Sequence, residues 1–278
     1  MAAGPDIRFV DLAEPSAGSA VVLTDKELRL GSAAEALEAR AGGTFRRAAR
    51  ATKFQGKLLK KLELLAPSGV ELDRLTFVGV GELDKLTDQD WLRLGGVIGG
   101  SLAGEGAVTV LLERPDGAAI ELAQAMAVAT GIRLRSYRFE KYKTKKNDED
   151  EPPKPRDVSI AVADPQAAEQ AWRTEALICD GVALARDLVN EPANVLGPVE
   201  FAERLRALAD LGVEIEILDE AAMGEEKMGA LLGVAQGSVR PPRLVVMRWN
   251  GGRAKDRPVA LVGKGVVFDT GGISIKPA

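Results

Sequence analysis

Short apolar runs alternate with stretches of helical period along this chain. Runs at 7–12 and 19–23 predict strands, parted by a Pro-Ser-Ala-Gly turn. A helical pattern occupies 33–40, and 76–80 reads as another apolar strand. Thr87 and Asp90 have the spacing of a capping box, which starts a helix running toward Leu102. Gly95, Gly96, Gly99 and Gly100 fall inside that helix, where they lower its propensity and permit close packing. They do not sit at a strand-to-helix turn, so they do not make a dinucleotide fingerprint. A strand at 107–112, a turn at Pro115-Asp-Gly and a helix at 117–130 closed by Gly131 complete this half. Strands alternating with helices predict an α/β fold.

Residues 137–156 pass from basic to acidic to proline-rich, a composition that buries no core and predicts an exposed loop near a domain boundary. Its basic half, with interleaved aromatics, is a weaker candidate for nucleic-acid contact than for a solvated loop. After a strand at 158–162, Asp164 is a natural N-cap and Pro165 a natural first helical residue. Trp172, Ala176, Cys179 and Ala183 then recur on one helix face, which makes Cys179 a core residue and not a nucleophile. Pro192 stops this helix near Val189. Asn190-Glu-Pro-Ala-Asn194 forms a polar knot of helix-capping type before a helix at 198–211 that ends at Gly212. A strand at 213–218, a helix near 226–234 and a strand at 243–249 follow. Asn250-Gly251 is a hairpin signal that turns the chain back into a strand at 259–268.

With 278 residues, 46% hydrophobic and 28% charged, the chain has room for two domains. It contains no apolar run long enough to cross a membrane, and its N-terminus lacks the blocks of a signal peptide, so a cytoplasmic location is expected. A net charge of −4 exerts no general pull toward nucleic acid or anionic membrane. There is no histidine, and Cys179 is the only cysteine. Ser-His-Asp and Cys-His pairs, His- or Cys-rich zinc sites, disulfides and CxxC redox pairs are therefore excluded within the chain. Any metal must be held by carboxylates, carbonyls, water or a neutral lysine amine, a donor set suited to Mn, Mg or Zn.

That restriction turns attention to the last stretch, where Lys264, Asp269 and Lys276 lie among apolar residues and glycines. The plain reading has Lys264 reaching solvent and Asp269 capping a glycine turn. A phosphate loop fails, because Gly263-Lys264-Gly265 lacks the Walker spacing and the following Ser or Thr. Val-Val-Phe-Asp-Thr-Gly resembles the aspartic-peptidase signature, and its single copy would require a dimer using Asp269. A metal site also accommodates these residue types: a lysine amine ligates once its proton is lost, an aspartate bridges two cations, and a protonated lysine polarises a carbonyl.

The stretch Val-Gly-Lys-Gly-Val-Val-Phe-Asp-Thr-Gly-Gly-Ile-Ser-Ile-Lys-Pro, preceded by Ala-Arg-Asp-Leu-Val-Asn-Glu-Pro-Ala-Asn, strongly resembles the leucyl (cytosol) aminopeptidase family, the M17 metallopeptidases. Tyr-Arg-Phe-Glu-Lys-Tyr-Lys at 137–143 resembles a segment that bacterial members carry. The resemblance implies an N-terminal mixed-sheet α/β domain with its charged linker at 1–156, a connecting strand and helix at 157–190, and the first part of a catalytic α/β domain at 191–278. It implies peptide substrates, a homo-hexamer, and two divalent ions, Mn or Zn, holding a bridging water. Lys264 would then be a metal ligand, Asp269 a ligand bridging both ions, and Lys276 the catalytic lysine. The family's other ligands, two aspartates and a glutamate, and its catalytic arginine lie beyond the matching motif. The expectation is therefore a fragment with little or no activity alone, whose last strands have open, aggregation-prone edges. The alternatives are a non-catalytic N-terminal module binding DNA or a partner, and the dimeric aspartic peptidase.

Overall fold

In a computed structural model the described residues are 4–102, 107–144, 157–253 and 257–267. They form two compact units, 1–184 and 185–278, with the boundary inside a long helix.

The first unit is a six-stranded sheet with helices on both faces. Its strands are β1 (Asp6–Asp11), β2 (Gly18–Asp25), β3 (Lys61–Leu65), β4 (Leu72–Gly81), β5 (Val108–Leu111) and β6 (Asp157–Val162), in the order β1-β6-β5-β2-β4-β3. All neighbours are parallel except β3, which runs antiparallel to β4 at one edge. β6, which the sequence reading assigns to a connecting segment at 157–190, is an interior strand between β1 and β5.

Strand alternation divides the core in two. Val21 and Leu23 of β2, Val78 and Val80 of β4, and Val158 and Ile160 of β6 face one side. There they meet Trp91, Leu94 and Ile98 of α3 (Asp88–Ser101), Val128 and Ile132 of α4 (Leu122–Arg135), and Trp172 and Cys179 of α5 (Pro165–Asn190). Ala20, Val22, Leu75 and Phe77 face the other side, against Ala34 and Leu37 of α1 (Ser32–Arg40) and Phe45 and Ala49 of α2 (Thr44–Thr52). Phe45 stacks on Phe77 with ring centroids 3.8 Å apart, fixing α2 to the sheet.

The Thr87–Asp90 capping box forms as expected: the Asp90 amide donates to the Thr87 hydroxyl, and the Thr87 amide donates to the Asp90 carboxylate at 3.1 Å. The next helix departs from expectation. α4 spans Leu122–Arg135, so Gly131 lies inside it and Gly117 lies in the preceding turn at φ +80°. Gly131 serves packing and not termination. A Cβ on it would run into the Leu92 carbonyl oxygen of α3, and one on Gly95 would run into the Val128 carbonyl of α4. The glycines thus let the two helices meet backbone to backbone.

α2 and β3 carry no expected element in the sequence reading. Both α1 and α2 follow a glycine, Gly31 or Gly43, that has no side chain to cap them. The caps come from elsewhere. Buried Glu38 accepts from the amides of Phe45 at 3.0 Å and Arg46 at 3.1 Å. Glu113, just after β5, accepts from the amides of Ala33 at 3.0 Å and Ala34 at 3.3 Å and from the Ser32 hydroxyl at 2.9 Å.

The second unit contains α6 (Pro198–Arg206), a 3₁₀ turn at Ala207–Leu211, β7 (Glu214–Leu218), α7 (Glu220–Glu225), α8 (Gly229–Ala235) and β8 (Leu244–Arg248). Gly212, at φ +87°, ends the helical stretch as expected. The single helix expected at 226–234 is instead two short ones, because Lys227 takes φ +56° between them. β7 and β8 pair antiparallel as a two-stranded sheet. The expected strand at 259–268 is absent from its described part: residues 257–267 carry no strand, and Val259, Leu261 and Val262 are exposed. An apolar run becomes a strand only beside a neighbour that takes up its backbone hydrogen bonds, and β8 pairs only with β7 among the described residues.

Candidate functional site

The positions singled out by sequence fall unevenly on this structure. Lys264 is described, exposed and on irregular backbone, while Asp269 and Lys276 lie outside the described residues. Gly265, the neighbour of Lys264, lies against α6. A Cβ on Gly265 would lie 2.7 Å from the Phe201 ring, so the bare glycine backbone rests on that ring and carries its neighbour Lys264 with it.

Phe201 is placed in turn by the polar knot. Pro192 accepts from the amides of Val195 at 2.9 Å and Leu196 at 3.0 Å, which turns the chain sharply after α5. The Gly197 amide donates to Glu200 at 3.0 Å, closing the first turn of α6 with Pro198 at its start. Glu191, nearly fully buried, pairs with Arg204 at 3.2 Å. Arg240 donates to the Asn194 carbonyl at 3.0 Å and pairs with Glu200 at 3.6 Å. Asn190–Asn194 is therefore more than a helix cap: it ties α6 to the segment ahead of β8. Sequence reasoning missed Glu191 with Arg204 and Asn194 with Arg240, since neither partner is a neighbour in the chain.

Cys179 is buried, and burial pushes its thiol above the ordinary range, which agrees with a core role. The carboxyls held furthest below their ordinary values are Glu82, brought to about 2 by Lys26 and Lys85, and Asp116, brought to about 2 by Arg114. Both belong to surface ion pairs of the first unit and mark no catalytic centre. Among the described residues no group of three His, Cys, Asp or Glu side chains is placed to hold a metal ion. The described residues alone thus offer one candidate ligand, Lys264, and do not fit a two-ion site.

The first unit has its own place where a ligand would be sought. After β2 the chain passes to the β4 side, and after β5 to the β6 side, so the strand ends of β2 and β5 form a topological switch point. There the α1 N-terminus would attract an anion. Glu113 already fills that position with its own carboxylate.

One further feature escaped the sequence reading. Between Glu38 and Glu63 stand eight cations and no acid. Arg47, Arg50, Lys53, Lys57 and Lys60 are exposed and form no ion pair among the described residues. A count of basic against acidic residues over this window would have found it.

Residues 21–146 match the family model for the cytosol aminopeptidase family, N-terminal domain, and residues 183–278 match that for the catalytic domain of the same family. A probable cytosol aminopeptidase of Rhodopseudomonas palustris (strain TIE-1) is 50% identical over 273 residues, which is 98% of this chain and 54% of that protein. One from Chelativorans sp. (strain BNC1) is 50% identical over 276 residues, 99% of this chain and 55% of that protein. The chain therefore spans about half the length of the curated relatives it matches. Among solved structures, a mutant tomato leucine aminopeptidase superposes with a TM-score of 0.80 at 25% identity, covering 98% of this chain and 56% of that one. The bottromycin maturation enzyme BotP, in complex with Mn, shares the fold with a TM-score of 0.64 at 22% identity, covering 84% of this chain and 45% of that one.

Proposed function

The chain belongs to the cytosol aminopeptidase family, and from that premise we propose that it carries the N-terminal domain and the opening of the catalytic domain of a metal-dependent exopeptidase releasing N-terminal residues from peptides. What supports this most is the match at 50% identity running through both domains over 98% of the chain. The mixed α/β fold also gives the aspartic-peptidase alternative none of the β architecture it would need.

In this reading Lys264 and Asp269 are metal ligands, and Lys276 is the catalytic lysine. Lys264 and Asp269 would hold part of a pair of divalent ions, Mn or Zn, which would supply an activated water. As a ligand Lys264 would have to give its amine unprotonated. Lys276 must keep its proton, so that it stabilises the oxyanion formed at the scissile carbonyl. As a 278-residue polypeptide the chain brings one carboxylate and one amine to two cations, which is too few for tight binding. We expect little or no turnover by this polypeptide alone. Assembly as a hexamer and a cytoplasmic location belong to the same proposal. No helix among the described residues is long and apolar enough to cross a membrane.

The test is hydrolysis of leucine amide by the purified chain with Mn added. Turnover at ordinary enzyme rates, abolished by Lys276→Ala, would contradict the expectation.

A second reading, DNA binding by the first unit, is favoured by the exposed cations Arg47, Arg50, Lys53, Lys57 and Lys60, which form no ion pair among the described residues. Duplex retention that weakens steeply with salt, and is lost on replacing Arg47, Arg50 and Lys53 by Gln, would support it. Retention at low salt no stronger than for that variant would exclude it.

A further inference from the structure

The six-stranded sheet of the first unit ends in two unlike edges. At one, the Phe9 amide of β1 donates to Glu169 of α5 at 3.2 Å, so a side chain covers the outer side of that strand. At the other stands β3, with β4 as its one neighbour among the described residues. The Gly79 amide donates to the Lys60 carbonyl at 2.7 Å and the Ala66 amide to the Asp73 carbonyl at 2.9 Å. The ladder bonds of this antiparallel pair therefore fall on the even-numbered positions from Lys60 to Ala66. The backbone groups of Lys61, Glu63 and Leu65 point away from the sheet, and none of these three amides has a hydrogen-bond partner among the described residues.

Strand edges are ordinarily blunted by a charge or a proline, or covered. Here Leu65, at the end of the strand, is 68% exposed. Lys61 is paired along the strand with Glu63 at 2.6 Å, and Arg74 of β4 reaches the same carboxylate at 3.6 Å, so two cations share one acid. Lys57 and Lys60, in the turn that leads into β3, are exposed and add to that excess. Leu62 and Leu64 lean the other way, onto the core beneath α1 and α2. The edge thus offers a row of free backbone groups with an apolar end at Leu65 and a cationic end at Lys57, Lys60 and Lys61.

We propose that the outer edge of β3 takes up an extended acidic peptide as a further strand, antiparallel to β3. Antiparallel entry sets an apolar residue of the peptide opposite Leu65, a hydroxyl residue opposite Glu63 and a carboxylate opposite Lys61, and carries further acidic residues toward Lys60 and Lys57. Entering the other way, the same peptide would set its carboxylates against Leu65. Backbone bonds supply the affinity, and the charges supply the direction. The site lies wholly within the first unit and stands or falls independently of the aminopeptidase reading.

The probe is the peptide Val-Val-Thr-Val-Glu-Asp-Glu, acetylated at its N-terminus so that it is no aminopeptidase substrate and labelled with fluorescein at its C-terminus. Its binding to the 278-residue chain is followed by fluorescence anisotropy. Binding is expected, and N-methylation of the threonine amide, which faces β3, should weaken it about tenfold or more. N-methylation of the valine just before it, whose amide faces away, should leave most of the affinity. Glu63→Pro removes the outward N–H at the middle of the edge and keeps the ladder bonds to β4, so it should also weaken binding about tenfold. Glu63→Gln keeps that N–H and should bind as well as the parent or better. Replacing Lys57 and Lys60 by Gln should weaken binding severalfold at low salt and little at high salt. Circular dichroism checks that each variant folds, and the N-methylated peptides carry the test on the unaltered chain. Absence of binding overturns the proposal, as does binding indifferent to both threonine N-methylation and Glu63→Pro. Binding lost equally on replacing Arg47, Arg50 and Lys53 by Gln would mark a general attraction for anions, duplex DNA included, and overturns it too. So does self-association through β3 that the peptide fails to displace.

Discussion

The two units are written in the same alphabet of strands and helices, yet they differ in what their strands touch. In the first, strands β2, β4, β5 and β6 are covered on both faces, and side chains such as Phe77, Val78, Val110 and Ile160 are nearly inaccessible. In the second, the buried hydrophobic residues among those described are Leu196, Ala202 and Met223, and neither strand contributes one. The knot at Asn190–Asn194 holds α6 by ion pairs and carbonyl contacts, while β7 and β8 keep a half-bare apolar face. Secondary structure is thus present in both units, and a closed core in one. Burial and not element content distinguishes the two units.

Substitutions should sharpen this contrast, beginning with the core. Phe77→Ala removes the ring stacked on Phe45 and should cost about 3–5 kcal/mol in urea unfolding. Val245→Ala, on the half-exposed face of β8, should cost under about 1 kcal/mol. Equal costs would break the comparison.

Next in size is the α3–α4 seam. Gly131→Ala places a methyl group against the Leu92 carbonyl and should destabilise the first unit by about 1–3 kcal/mol, read from the same transition. Gly233→Ala in α8, with open space around it, should be neutral or slightly stabilising.

Smaller still is the borrowed cap of α1. Glu113→Ala should cost about 1 kcal/mol. Added sulfate should return part of that loss by taking the vacated place at the helix N-terminus, in this variant more than in the parent. An equal response of the two proteins would deny Glu113 that role.

Acid titration separates the units by a different route. Glu82 is held at about 2 against an ordinary 4.5, and Asp116 at about 2 against 3.8. A carboxyl held low in the fold contributes stability that is complete above its unfolded value and is lost as pH falls through the folded one. The contribution of these two pairs should therefore fade between about pH 4.5 and pH 2. Glu82→Gln and Asp116→Asn should flatten the decline over that window, followed as unfolding midpoint against pH.

What the sequence made legible follows the range of the interactions concerned. The capping box at Thr87 and Asp90, the core face of α5 with Cys179, and the turn at Gly212 are local and stand where periodicity put them. Gly131 was misread because a glycine that ends a helix and one that admits a neighbouring helix look alike until the neighbour is seen. α2 escaped because its cap, Glu38, belongs to the preceding helix. The last strand failed for the converse reason: 259–267 has the composition of a strand and no partner among the described residues. Of the candidate site, the motif proposes Lys264, Asp269 and Lys276, of which Lys264 lies among the described residues, and the contact of the adjacent Gly265 with Phe201 has no signal in the motif. Phe201, Glu191 and Arg204 meet through tertiary folding alone.

Native-state amide hydrogen exchange, read by mass spectrometry on the 278-residue chain, tests the division between a closed and an open core most directly. Amides of β2, β4, β5 and β6 should exchange only through global unfolding of the first unit, while those of β7 and β8 exchange orders of magnitude faster. Protection of β7 and β8 equal to that of the six-stranded sheet would contradict the account.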